Sequence, residues 1–194
     1  MEKVISIVGA GGKTTLVHKL AREYHRRGKG VLVTTTTHMY VEADTDLSCD
    51  FFSLRDKIIK DGYCMAGQKI SEQKISEQKI SEQSKSKMCG LPYDLLDKLI
   101  KGMPQALDYV IIEADGAKHH SLKYPAADEP VIYPGTTDVI IVLGTWEKGR
   151  SCKDVVFRYE LMQKELGTAE DAVVDDSIID TLRQVYVRDR KSDV

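Results

Sequence analysis

A short apolar strand that runs straight into glycines and then into Lys-Thr-Thr leaves a chain few ways to fold. The segment Ile5-Ser6-Ile7-Val8-Gly9-Ala10-Gly11-Gly12-Lys13-Thr14-Thr15 has that form. It reads as a buried strand over Val4 to Val8, a glycine-rich turn, and a helix that opens at the lysine. Glycines let successive backbone N–H groups turn inward on one anion, and the helix N-terminus adds the positive end of its dipole. Such a loop holds a polyphosphate. Lys13 would reach the β- and γ-phosphates, and the Thr14 hydroxyl would sit on magnesium. The spacing departs from G-x-x-x-x-G-K-[ST], because Ile7 stands five residues before Gly12. The loop is the shorter G-x-G-G-K-T-T.

The rest of the chain supports an α/β reading. Leu16, Val17, Leu20, Ala21 and Tyr24 mark one face of a helix from Thr14 to His25, which ends at Gly28 and Gly30 before the strand Val31-Leu32-Val33. Ser53 to Lys60 and Pro92 to Lys101 are predicted helices, the second with Pro92 in its first turn and Leu95, Leu96, Leu99 and Ile100 as its buried stripe. Tyr109 to Ile112 and Val139 to Leu143 are apolar runs of strand length. Strands rich in Val and Ile on both faces, separated by helices, predict a three-layer α/β domain with a mostly parallel sheet flanked by helices, like a P-loop NTPase. Asp154 to Leu166, stopping at Gly167, and Ser177 to Val187 are predicted to close the chain as helices, with a frayed tail from Arg188 to Val194. The expected organisation is a nucleotide-binding core over 1–150 and a C-terminal helical segment over 151–194.

Lys69 to Gln83 is three tandem copies of Lys-Ile-Ser-Glu-Gln. A five-residue period matches neither helix nor strand, and three short copies are too few for a solenoid. The region 68–87 is therefore expected to be a flexible, solvated insertion that arose by duplication.

Charge and cysteine usage narrow the function. Lys and Arg number 28 against 30 Asp and Glu, a net charge of −2, which argues against a broad nucleic-acid surface. Cys49, Cys64, Cys89 and Cys152 show neither C-x-x-C pairing nor His at zinc spacing, so free thiols are expected, with a persulfide or selenium carrier role for one of them left open. Met1-Glu2-Lys3 enters a strand at once, and no apolar run is long enough to span a bilayer. The expectation is a cytoplasmic protein with no membrane partner.

An NTPase needs an acidic residue at a strand end beside its phosphate loop. Tyr109-Val110-Ile111-Ile112-Glu113-Ala114-Asp115-Gly116 supplies two. Asp115 is assigned to the magnesium shell and Glu113 to the positioning of the attacking group. Thr34, Thr35, Thr36 and Thr37 end the second strand at the edge where open α/β sheets bind ligands, and they are candidates for lining the γ-phosphate or a substrate. His38, His119 and His120 are weaker candidates as acids, bases or metal ligands. In the run from Asp115 to Ile132, Lys118 and Lys123 are candidate anion binders. Neither N-K-x-D nor T-K-x-D is present, so ATP is the expected nucleotide, with GTP not excluded.

These segments together resemble the YqeC type of selenium-dependent hydroxylase accessory protein. The resemblance lies in I-x-I-V-G-A-G-G-K-T-T, in V-L-V-T-T-T-T-H, and in I-I-E-A-D-G-A-K before L-K-Y-P-A-A-D-E-P-V-I, over about residues 3–45 and 88–145. It implies a P-loop protein acting in the maturation of selenium-dependent molybdenum hydroxylases, with such a hydroxylase or its cofactor precursor as partner. By motif, Gly9, Ala10, Gly11, Gly12, Lys13, Thr14 and Thr15 carry over as the nucleotide loop. Thr34 to Thr37, Glu113, Asp115, Lys118, Lys123 and Glu129 carry over as the acidic and anion-binding part. The repeat has no counterpart in the family, and the chain after Gly149 matches weakly. Three activities fit these residues. The first is ATP hydrolysis or phosphoryl transfer in cofactor maturation, with Lys13, Glu113 and Asp115 catalytic. The second is a nucleotide-gated chaperone, and the third a small-molecule kinase or ligase, suggested by a loop similar to that of Mur-ligase-like proteins.

Overall fold

The alternation of Val/Ile runs with helices resolves into a five-stranded parallel sheet. The computed structural model describes residues 3–70 and 86–188. The chain begins with β1 (Lys3–Gly9), α1 (Lys13–Arg26) and β2 (Val31–Thr35), then adds β3 (His38–Tyr40), α2 (Phe51–Asp61) and β4 (Tyr63–Met65). Two short strands, β5 (Gln68–Lys69) and β6 (Lys87–Cys89), precede α3 (Tyr93–Gly102), β7 (Tyr109–Glu113), β8 (Leu122–Lys123) and β9 (Asp138–Val142). A 3-10 turn at Thr145–Glu147 leads to α4 (Cys152–Val155), β10 (Val156–Phe157), α5 (Tyr159–Leu166) and α6 (Asp176–Arg188).

The main sheet runs β4-β2-β7-β1-β9, and every pairing in it is parallel. Strand β1, which runs into the glycine loop, therefore lies between β7, which leads into the acidic pair, and β9. Alternate residues of each strand face opposite layers, which is why both faces of these strands are apolar. Val4, Val8, Leu32, Val110 and Ile112 pack under Leu54 and Ile58 of α2 and Leu95, Leu96 and Leu99 of α3. Ile5, Ile7, Val31, Val33 and Ile111 pack under Val17 and Ala21 of α1, with Met39 of β3 and Met88 of β6. The expected three-layer α/β architecture is thus the observed one.

Three local results differ from the sequence reading or extend it. The single helix expected over 154–166 is broken, because Val156 and Phe157 pair with Leu122 and Lys123 and Arg158 turns left-handed at φ 64°. Val155 and Val156 are buried in a third apolar cluster with Leu122, Tyr159, Met162 and Leu182, so tertiary burial of a β-branched pair overrides local helix periodicity. Pro92 is the N-cap of α3 rather than part of its first turn. A small antiparallel sheet, β3-β6-β5, was not foreseen; it pairs Gln68 with Cys89 and Lys69 with Met88, joining the two ends of the repeat-bearing segment. Residues 71–83 of the repeat and the tail 189–194 lie outside the described residues. Among the described residues no helix is long and apolar enough to cross a membrane.

Leu99 is fully buried between α3 and the sheet. Leu99→Ala is expected to cost about 2–5 kcal/mol through lost burial and the cavity left behind. Urea unfolding should show a lower midpoint with an unchanged slope.

Candidate functional site

The loop after β1 adopts the conformation its glycines permit. Gly9, Gly11 and Gly12 have φ of 90°, 75° and 97°, a region that L side chains avoid. Space is equally restrictive at two of them. A Cβ on Gly9 would lie 2.1 Å from the Val142 carbonyl oxygen, and one on Gly11 would lie 2.6 Å from that of Ser121. The buried Ala10 donates its N–H to Val142 O at 2.8 Å, tying the loop to β9. Gly12 is the N-cap of α1 and no side chain caps that helix end. The first-turn N–H groups are thereby oriented toward the loop mouth with the positive end of the helix dipole. Lys13, the first residue of α1, is buried, whereas Thr14 and Thr15 are exposed. Burial pushes the Lys13 ammonium below its ordinary range, against the pull of Glu113 and Asp115.

The two acidic residues at the end of β7 have different surroundings. Glu113 pairs in register with Ile7 of β1 and accepts a 2.7 Å hydrogen bond from the Thr14 hydroxyl. Burial raises its carboxyl above the ordinary range, while Thr14 and Lys13 oppose the rise. Asp115 is fully buried, and both its oxygens are engaged. Oδ2 accepts the Gly9 N–H at 3.0 Å and the Tyr186 hydroxyl at 2.7 Å, and Oδ1 is paired with Lys123. Between these two acids, Glu113 faces the helix start and Asp115 is locked beneath the loop.

The same network absorbs residues expected to bind anions. Lys123 is wholly buried; besides Asp115 it meets the Gly116 carbonyl at 2.6 Å and Glu129 at 2.7 Å. Glu129 also accepts both guanidinium nitrogens of Arg158, one of them at 3.0 Å. A lysine with three acceptors in a dry site is held as a buried ion pair. Lys118 is exposed, left-handed at φ 43°, with its ammonium 5.4 Å from the Phe157 ring centre. His120 stacks on the same ring at 5.6 Å, and His38 is exposed on β3.

The threonines form a hydrogen-bonded loop at the same sheet edge. Thr35 donates its hydroxyl to the Glu113 carbonyl at 2.6 Å and receives the Thr37 N–H at 3.0 Å. The Thr36 N–H reaches that carbonyl at 3.1 Å, and its hydroxyl reaches Val131 O at 2.5 Å. Thr34 is buried and accepts the Leu91 N–H at 3.3 Å. Thr34 and Thr35 hold the end of β2 against β7; Thr36 and Thr37 are the half-buried pair nearer solvent.

Arg158 and Tyr186 are site residues that the sequence did not single out. Arg158 was hidden inside an expected helix. Tyr186 carried one faint signal, a hydroxyl on an otherwise apolar stripe that must find a partner when buried. The four cysteines are free thiols, as expected, with Cys64 and Cys152 buried. Burial pushes the Cys64 thiol up to about 12, which keeps it protonated and unreactive.

Two expectations follow from the buried network. Although burial opposes it, hydrogen bonds from Arg158 and Lys123 pull the Glu129 carboxyl from 4.5 down to about 2. A depressed folded-state value adds stability above pH 4.5 that is lost as pH falls toward 2. Glu129→Gln should therefore be less stable than wild type at pH 7, and denaturant titrations should show the gap closing between about pH 4.5 and 2. Tyr186→Phe leaves shape intact and removes one hydrogen bond to a buried carboxylate. It should cost about 1–3 kcal/mol, read from urea midpoints.

Comparison with known proteins agrees with the segments that build this site. A model of the family described as YqeC protein matches residues 5–160. The chain is 30% identical over 174 residues to a protein of Escherichia coli (strain K12) described as uncharacterized protein YqeC. That alignment covers 88% of this chain and 63% of the relative, so the chain spans less than two thirds of the relative's length. No solved structure matches it. The match runs through the glycine loop, the threonine loop, the Glu113–Asp115 strand end and the Lys123–Glu129–Arg158 network, and the chain belongs to the YqeC protein family.

Proposed function

We propose that the chain is a magnesium- and nucleotide-dependent protein whose loop Gly9–Thr15 holds the phosphates of ATP or GTP. The observation that carries this reading is the 2.7 Å pair between the Thr14 hydroxyl and the Glu113 carboxylate, set beside Lys13 at an uncapped helix N-terminus. Both are hard oxygen donors, the chemistry magnesium prefers when phosphates and water complete its shell. Thr14 and Glu113 would hold the ion, which would neutralise charge on the β- and γ-phosphate oxygens. The metal role thus passes from Asp115, whose oxygens are engaged by Gly9, Lys123 and Tyr186, to Glu113. Asp115 is then a positioning residue that fixes the loop backbone. Lys13 supplies positive charge to the phosphates from a buried position, where screening by water is weak. Thr36 and Thr37 border the γ-phosphate side.

The reaction class is NTP hydrolysis or phosphoryl transfer in the service of another protein's maturation. Its place with selenium-dependent molybdenum hydroxylases rests on family membership and the shared motifs. A second reading, nucleotide-gated binding with slow turnover alone, is favoured by one observation. Asp115 joins the Gly9 N–H to Tyr186 of α6, so a change in the loop is felt in the C-terminal helix. Hydrolysis measured with and without the hydroxylase separates the two readings.

Calorimetry with Mg-ATP and Mg-GTP tests the site. Lys13→Ala should weaken binding roughly tenfold or more through the lost charge-assisted contacts. Glu113→Gln should keep nucleotide affinity within a few fold while abolishing its dependence on magnesium. Unchanged binding in Lys13→Ala would overturn the reading.

A further inference from the structure

A phosphate loop accounts for one end of a nucleotide and leaves the base to be seated. Trp146, the one tryptophan of the chain, lies in the turn that follows β9 and is 65% exposed. A large aromatic ring in that setting gains nothing from burial, yet this one is held in place. Its indole N–H donates to Glu147 at 3.1 Å. Glu147 is itself buried, receives Arg150 at 2.9 Å, and is hydrogen-bonded by the Ser121 side chain.

The holding structure leads back to the phosphate loop. The Ser121 carbonyl accepts the Gly144 N–H at 2.9 Å and is the same atom that a Cβ on Gly11 would meet at 2.6 Å. The Gly144 Cα would stand 3.0 Å from that Cβ. The turn is therefore flush with Gly11, and Trp146 follows Gly144 by two residues, at most ~7 Å of chain. Triphosphates seated over Lys13 and Thr14 leave the nucleoside to extend along the C-terminal edge of the sheet, where open α/β sheets take ligands. Beyond the end of β9 that edge offers an exposed, oriented π-face.

We propose that Trp146 is the base platform of the nucleotide site, stacking on the nucleobase of the nucleoside triphosphate whose phosphates occupy Gly9–Thr14. This rests on the phosphate-loop reading above and adds where the base goes. Stacking on a flat ring is tolerant of base identity, so ATP and GTP should both engage it. Glu147 and Ser121 act through Trp146, as positioning residues that fix the ring relative to Gly11.

Because Trp146 is the chain's one tryptophan, its emission reports the contact directly. The full chain would be titrated with Mg-ATP, Mg-GTP and Mg-tripolyphosphate, following emission and heat together. The expected result is binding of all three, with quenching by the two nucleotides and none by tripolyphosphate. Trp146→Ala should weaken the nucleotides by roughly ten- to a hundredfold. It should leave tripolyphosphate unchanged, and Trp146→Phe should restore most of the loss. Nucleotide binding with unaltered emission and an unaltered Trp146→Ala affinity would overturn the base platform and leave the phosphate loop standing. So would equal quenching by tripolyphosphate. Failure of all three ligands to bind would overturn the phosphate loop and the platform with it.

Discussion

The carboxylate of Asp115 is where the N-terminal loop, the strand-end loop and the C-terminal helix meet. A buried charge of this kind is tolerated only when its lone pairs are met by good donors, and here they are met by three. Each donor comes from a different part of the chain: the Gly9 N–H, the Lys123 ammonium and the Tyr186 hydroxyl. The left-handed turn at Gly9 and the path of the chain from Gly116 to Lys123 are both pinned to this one group. So is the docking of α6. The ion pairs that continue through Glu129 to Arg158 extend the same anchorage to the start of α5. Removing any one member exposes the rest to uncompensated burial, so the network acts as a unit.

That arrangement divides the labour between two acids only two residues apart. Asp115 is engaged by Gly9, Lys123 and Tyr186, and Glu113 is left facing Thr14 and Lys13. The division follows from strand geometry. Glu113 is the last residue of β7, in register with Ile7, whereas Asp115 lies beyond the strand end and folds under the loop. Lys13 completes the contrast. It is a buried cation near two carboxylates, where screening by water is weak.

Local features were the legible ones. The glycine loop, the helix it opens and the Val/Ile strands carry their signals within a dozen residues, and each stands where the sequence predicts it. The acidic strand end was legible, though the different partners of its two members were not. Lys123 illustrates the limit: in a loop rich in Pro, Asp and Glu it reads as a candidate anion binder, and only the folded chain shows it fully buried and paired. Its partners Asp115 and Glu129 lie nearby in sequence, but the burial comes from β10 and α6, tens of residues away. The broken helix at Arg158 fails for the same reason, since its periodicity is correct and a pairing with Leu122 and Lys123 overrides it. Trp146 is conspicuous in the sequence, yet nothing local shows that its turn lies against Gly11.

The parallel sheet also dictates an order of assembly. Strand β1 precedes its neighbours β7 and β9 in the chain, and the Gly9 N–H finds its acceptor 106 residues later. Contacts so distant in sequence form only after a large loop-closure cost has been met, which slows folding and delays it until late in synthesis. A ribosome-bound chain that has emerged only through β4 holds the glycine loop without β7, without the Val142 carbonyl and without Tyr186. The loop precedes nearly every element it depends on and is among the last to acquire its shape. A nascent chain therefore completes the packing around this loop only once α6 has been delivered.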